Sequence, residues 1–424
     1  MQNNMKRVVI TGIGIVAPGG IGKEEFWQNI TQGHSFTTSD SEMEALGLNS
    51  KVVCRVTNFN LADYCTGEEF ESLQKQDRFV QFGVVAGQAA IEDAGLVLEQ
   101  ESPESLGIVL SSCTGGTQTA QRQFEVLSDF GQQSLKHKPV GENFYNSGMF
   151  NYPASLLARK YGFQGPCASL STGCAAGLDA LGISFGLIQS GEAEVVLTGA
   201  AEAPLIGLNY AILDIIGCLS VTECEPEKAS RPFDAKRAGF VIGEASAVLV
   251  VEEMEHALAR GAHIYAEVIG FSSLSSAYHM VELPVHGVVM ATVIERSLHM
   301  ANIAPEDIDY INTHGTSTQQ NDLFDTNSFK KAFGEKAYQI PISSTKSMVG
   351  HSLSAASMVA TVATLGAMEL SVIPPTINYE FPDPECDLDY VPNVARHKDV
   401  QTAMVTASGF GGIHTAAIFR KYLN

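Results

Sequence analysis

The stretch Gly165 to Leu187, GPCASLSTGCAAGLDALGISFGL, reads as a short strand, a turn through Ser171-Thr172-Gly173, and an almost uncharged helix suited to burial. Cys174 falls on the turn. A thiol at the first residue of a helix faces unpaired backbone N–H groups and the positive end of the helix dipole, which predicts a lowered pKa and a nucleophile. A small apolar core residue is the alternative, and for a lone cysteine it is the commoner one. Thr172, Gly173, Ala175, Ala176 and Gly177 are small on both sides of the sulfur and leave room for a substrate. The choice rests on whether partners for the thiol exist elsewhere.

The composition bounds the answer. A chain of 424 residues with 45% hydrophobic and 17% charged residues can bury one large core or two medium ones. Its 39 glycines and single tryptophan suit the many strand-to-helix turns of an α/β architecture. A net charge of −21 argues against nucleic acid or an anionic membrane as partner. Eight scattered cysteines without C-x-x-C spacing indicate neither a disulfide framework nor a metal site, which fits a reducing cytoplasm. The longest apolar run after the N-terminal strand, Ala355 to Met368, falls short of a membrane span.

The order of elements follows from periodicity. Val8 to Val16 reads as a first strand, and its Gly12-x-Gly14-x-x-Ala17 imitates a dinucleotide fingerprint that Pro18-Gly19-Gly20 rules out by breaking the helix it needs. A helix is predicted over 77–94, a strand over 107–112, and a polar insertion over about 115–150 that carries Phe130, Phe144, Tyr145, Met149 and Phe150. So much apolar surface on an insertion predicts contact with a partner subunit. After the Cys174 helix the strand and helix alternation repeats, which predicts an internal duplication with two sheets stacked across central helices. The expected halves are 1–255, with the nucleophile, and 256–424.

Two motifs in the second half offer partners. Asn312-Thr313-His314-Gly315-Thr316-Ser317-Thr318 follows a strand and precedes a helix, so His314 projects from the strand end where α/β sites gather. Ser343-Ser344-Thr345-Lys346-Ser347-Met348-Val349-Gly350-His351 repeats that placement with a lysine and a second histidine. The other nine histidines, His414 among them, are read as structural. Ser408-Gly409-Phe410-Gly411-Gly412 is either a hairpin with a packed phenylalanine or a turn whose backbone N–H approaches a substrate oxygen, with Phe410 as an apolar gate.

In their order and spacing, Ser171-Thr172-Gly173-Cys174, His314-Gly315-Thr316-Ser317-Thr318, Lys346 to His351 and Gly409-Phe410-Gly411-Gly412 resemble a β-ketoacyl synthase of the thiolase-like fold over essentially the whole chain. Gly177-Leu178-Asp179-Ala180, Gln320-Asn321-Asp322 and the run Pro382 to Tyr390 resemble the ketosynthase α subunits of type II aromatic polyketide synthases. The resemblance implies an α/β, layered αβαβα fold with two mixed five-stranded sheets. It implies decarboxylative Claisen condensation of malonyl-acyl carrier protein with an acyl chain on Cys174. His314 and His351 are then the catalytic histidines, Lys346 a catalytic lysine paired with Asp325, and Asp322 a support of the His314 loop. The N–H groups of Cys174 and Phe410 form the oxyanion hole, with Phe410 as gate. No metal or other cofactor is implied, since substrates ride on carrier phosphopantetheine.

The implied partners are an acyl carrier protein and either a chain-length-factor subunit or a second copy of the chain, with no nucleic acid or membrane. Fatty-acid elongation as a homodimeric 3-oxoacyl-carrier synthase is the alternative activity. A non-catalytic chain-length factor is the alternative role, disfavoured by Cys174. Two departures from the family pattern stand out: Ala360 where glutamate is usual, and Ile413-His414 where fatty-acid enzymes carry Thr-Asn. An acidic carrier meeting an acidic chain needs a local basic patch, for which Lys75 with Arg78, and Arg231 with Lys236 and Arg237, are the candidates.

Overall fold

The computed structural model describes residues 5–135, 143–221 and 223–423, so 136–142 of the insertion, His137 included, lie outside the described residues. The main sheet takes β1 (Val8–Ala17), β2 (Leu106–Ser111), β3 (Cys167–Leu170), β4 (Val195–Glu202) and β5 (Ala245–Glu253) from the first part of the chain. The second part supplies β6 (Ala266–Ser275), β7 (Tyr310–Asn312), β8 (Ile342–Ser343), β9 (Thr402–Gly409) and β10 (Ile413–Arg420). The strand orders are β1-β5-β4-β2-β3 and β6-β10-β9-β7-β8, the same permutation twice.

The senses match as well. In each set the first strand is antiparallel to the fifth and the fifth to the fourth, while the fourth, second and third run parallel. The two five-stranded sets are mixed, as expected, and they are also joined: β1 pairs with β6 from Val8↔Val268 to Ile10↔Ala266, which makes one continuous hydrogen-bonded sheet.

Helices complete the layers: α1 (Arg78–Ala94), α2 (Thr117–Ser128), α3 (Ala176–Ser190), α4 (Gly207–Ile216), α5 (Val288–Ala301), α6 (Gln319–Phe333) and α7 (Ala356–Leu370). α1 covers β1, β4 and β5, α5 covers β6 and β10 with α6 against it, and α3 and α7 lie between the sheet halves. α1 begins where the Asp77 side chain accepts the Phe79 N–H and ends at Gly95, whose φ of 58° closes it. Gly12 and Gly14 explain themselves here. A Cβ on them would lie 2.2 Å from the Ala90 carbonyl oxygen and 1.9 Å from that of Ala86, so β1 and α1 touch backbone to backbone.

α3 and α7 are entered alike, each from a single tight turn, Gly173–Ala175 and Leu353–Ala355, whose first residue has positive φ, 62° and 47°. Cys174 and Ser354 therefore occupy matching places in the two repeats. Counting that turn, Leu353–Leu370 is long and apolar enough to cross a membrane, longer than the apolar run read from sequence, and 89% of it is buried inside the fold. Nor is the insertion a simple loop, because it opens with the twelve residues of α2.

Candidate active site

Cys174 is the middle residue of the turn that precedes α3 and is 7% exposed. The Gly409–Gly412 turn presses on it. A Cβ at Gly173 would lie 3.0 Å from the Phe410 carbonyl oxygen, and one at Gly409 would lie 2.8 Å from that of Thr172. Only glycine allows that approach, and it brings the Phe410 N–H, with the N–H of Cys174 itself, to bear on the sulfur. Asp179 in the first turn of α3 fastens the two pieces together, accepting hydrogen bonds from the hydroxyls of Thr172 and Thr415.

A cavity of about 780 Å³ is lined by Cys174, His314, His351, Ser408, Gly409 and Phe410, with Ile216 and Val221 also on its wall. His314 leaves the end of β7, and His351 is held by its backbone N–H donating to the Val241 carbonyl oxygen at 2.8 Å. Their rings stand edge to face at 5.3 Å, and the His351 ring packs against Phe240 at 4.9 Å. Phe410 is 37% exposed on this cavity, while Lys346 is buried and does not line it. Thus the sulfur, both imidazoles and the glycine turn meet in a single pocket.

The electrostatics differ from the expectation for the thiol. Burial pushes Cys174 up to about 11, with Lys346 and the Phe410 N–H pulling it down and the Glu202 carboxylate pushing it further up. The turn at a helix start does not make a free thiolate, because desolvation outweighs the dipole. His314 and His351 lie well below the usual imidazole range, first through burial and then through the Lys346 charge, so both are neutral N–H donors or proton acceptors. Lys346 itself is brought down to about 8 by burial, against the pull of Asp325.

Asp325 and Lys346 feel one another's charge, yet no ion pair within 4.0 Å joins them. The carboxylate is instead spent on the His314 loop, accepting from the Thr313 hydroxyl and the Gly315 N–H, both at 2.8 Å. Asp322 accepts from the N–H groups of Ser317 and Phe233 at 3.2 and 2.8 Å, tying the same loop to the chain at Phe233. At Ala360 the Asn312 amide donates to the backbone oxygen at 3.2 Å, and the Asn312 Oδ1 has no partner among the described residues.

Two groups escaped the sequence reading. Glu202, at the end of β4, is fully buried and accepts from the N–H groups of Cys113 and Thr114 and the hydroxyls of Ser112, Thr114 and Ser354. A lone acid closing an apolar strand, VVLTGAAE, was the signal. His414, read as structural, is fully buried, with its ring against Phe324 at 5.0 Å. The candidate docking arginines are committed inside the fold. Arg78 pairs with Glu244, Arg231 with Asp234 and Glu380, and Arg237 with Asp322 and Asp383, which leaves Lys75 and Lys236 exposed.

Comparison with known proteins agrees with this geometry. Residues 5–257 match the model of the β-ketoacyl synthase N-terminal domain, and 265–380 that of the C-terminal domain. The chain is 42% identical over 421 residues to the tetracenomycin polyketide synthase ketoacyl synthase alpha subunit of Streptomyces glaucescens, covering 98% of this chain and 97% of that protein. It superposes with a TM-score of 0.93 and 38% identity on a ketosynthase solved bound to a hexaketide, in complex with its type II PKS acyl-carrier protein, over 99% of this chain and all of that one. The ishigamide ketosynthase/chain length factor gives a TM-score of 0.88 at 29% identity over 99% of this chain and 100% of that one.

Proposed function

The chain belongs to the β-ketoacyl synthase family, and from that premise we propose that it is the catalytic ketosynthase subunit of a type II polyketide synthase, carrying out decarboxylative Claisen condensation. The observation that carries the reading is the convergence of Cys174, His314, His351 and the Phe410 turn on one cavity. The Cys174 sulfur attacks the thioester carbonyl of an acyl-carrier, the carrier's C–S bond breaks, and the thiol proton leaves with the carrier sulfur. The N–H groups of Cys174 and Phe410 hold the oxyanion of that step. A neutral imidazole is the available acceptor for a thiol that starts protonated.

Malonyl-carrier follows. His314 and His351, neutral and N–H bearing, hydrogen-bond its thioester oxygen while the bond to the carboxylate breaks and CO2 departs. The enolate carbon attacks the acyl carbonyl on Cys174, and the C–S bond to the enzyme breaks. Loss of CO2 supplies the carbanion, so the chemistry calls for no redox or metal group. Lys346 sets the charge felt by the thiol and both histidines, Asp322 and Asp325 position the His314 loop, and Phe410 gates the cavity.

The partners that fit are an acyl carrier protein and a chain-length-factor subunit. The topological repeat supports a division into halves at 1–255 and 256–424, and eight unpaired cysteines support a cytoplasmic location. The test is Cys174→Ala against His314→Ala and His351→Ala. Cys174→Ala is expected to lose both the acyl mass shift and chain extension. Each histidine variant keeps the mass shift but loses CO2 release by about 100-fold or more. Chain extension at the wild-type rate by Cys174→Ala overturns the reading.

A further inference from the structure

A third histidine stands behind the pair that faces the cavity. His414 is fully buried, its Nδ1 is 3.0 Å from the Ser408 hydroxyl, and its Nε2 has no hydrogen-bond partner among the described residues. Its ring tilts against Phe324 of α6 at 5.0 Å. Burial lowers it to about 4, so it is a neutral imidazole. A polar ring kept in the core with one nitrogen unsatisfied opposes folding, a cost an apolar residue would avoid.

Its place in the register is informative. Ser408 and His414 are cross-strand partners in the β9–β10 hairpin, one pair below Gly409↔Ile413, and so lie at the root of the Phe410-Gly411-Gly412 turn. That turn has successive glycines at φ of 89° and 79° and is held at its tip by three backbone bonds. They run from the Gly411 N–H to the Met280 carbonyl oxygen at 2.7 Å, from the Gly412 N–H to that of Gly409 at 3.1 Å, and from the Ser276 N–H to that of Gly412 at 2.8 Å. The side-chain bonds nearest the turn are Ser408 to His414 on one face and Thr415 to Asp179 on the other. Ser408 also lines the cavity.

We propose that His414 is a positioning residue for acyl transfer: clamped to Ser408, it fixes the root of the glycine turn and so holds the Phe410 N–H over the Cys174 sulfur. This rests on the condensing-enzyme reading and extends it to a residue that does not line the cavity. The clamp acts on the first half-reaction, whose oxyanion faces the Phe410 N–H, and not on decarboxylation, whose enolate faces His314 and His351. A displacement of about 1 Å in a donor of this kind lowers a rate by about 100-fold.

The experiment measures both half-reactions on the full chain with its carrier. One is the rate of the Cys174 acyl mass shift from acyl-carrier, and the other is CO2 release from malonyl-carrier. His414→Leu is expected to slow acylation by about 10- to 100-fold while CO2 release stays within about 3-fold, and Ser408→Ala to slow acylation by the same factor. His414→Asn, which restores a short polar reach to Ser408, recovers acylation to within about 5-fold of wild type. Acylation within about 3-fold of wild type in His414→Leu, equal loss of both half-reactions, or no rescue by asparagine overturns the clamp. Should His414→Leu fail to fold, Ser408→Ala decides alone, since it removes one oxygen and little volume. A wild-type protein that performs neither half-reaction overturns the condensing reading instead.

Discussion

At the scale of single residues the most consequential group is Lys346, an ammonium that is 4% exposed, makes no ion pair within 4.0 Å among the described residues, and sits within electrostatic reach of Cys174, His314 and His351. Burying such a charge opposes folding, and an apolar side chain of the same length removes the cost. Lys346→Met is therefore expected to raise stability by on the order of 2 kcal/mol while lowering condensation by at least about 10-fold. Asp325, already pushed up to about 7 by burial, then takes a proton. The sign with pH is fixed. The folded protein releases the lysine proton near 8 and the unfolded chain near 10.5, so wild-type stability rises across that window. The advantage of the methionine variant in melting temperature should be largest below pH 8 and shrink above it; equal melting temperatures at pH 7 would show that Lys346 is not penalised by its burial. The position of Lys346 was legible in the sequence, but the reach of Asp325 was not. One residue type names a charge, and only the surrounding hydrogen bonds decide whether it meets its opposite. The Cys174 thiol teaches the same lesson: helix-start logic gave the direction of one effect and could not weigh it against burial.

At the scale of elements the two repeats use one plan with different contents. The ends of β4 and β9 both reach the turn that starts a central helix. β9 delivers Gly409 and the Phe410 N–H to the turn of Cys174, and β4 delivers Glu202 to Ser354, the counterpart of Cys174 before α7. Glu202 also gathers the turn at 112–114 behind the nucleophile. Glu202→Gln replaces an acceptor surrounded by donors with a half-donor, and about 1–3 kcal/mol of stability should be lost in denaturant unfolding. Because the Glu202 carboxylate pushes the Cys174 thiol up, iodoacetamide should label Cys174 faster in the variant at pH 8. Slower labelling would mean that the carboxylate serves the thiol and does not oppose it. Strand and helix order was readable from period and punctuation, as α1 shows between Asp77 and Gly95. The joining of both sheet halves through β1 and β6 was not, since three residue pairs in register leave no pattern in either strand.

For the whole molecule, charge and apolar surface pull apart. Against a net charge of −21, Arg78, Arg231 and Arg237 are engaged by Glu244, Glu380 and Asp383, so the patches read from the sequence reduce to Lys75 and Lys236. Apolar surface is more plentiful. Phe124 and Phe130 on the insertion are 54% and 74% exposed, Tyr145 is 72% exposed, and β3 ends the sheet with Cys167 and Ala168 exposed. Exposed aromatics and an unpaired sheet edge are features that invite a second subunit. The aromatic content of the insertion was legible in the sequence, although not that α2 would present part of it. Phe130→Glu combined with Tyr145→Glu is expected to shift sedimentation at micromolar concentration from dimer to monomer. Its intrinsic melting temperature should change little, since neither side chain packs in the core. If both variant and wild type sediment as dimers, the subunit contact lies elsewhere; if both are monomers, the exposed insertion faces solvent.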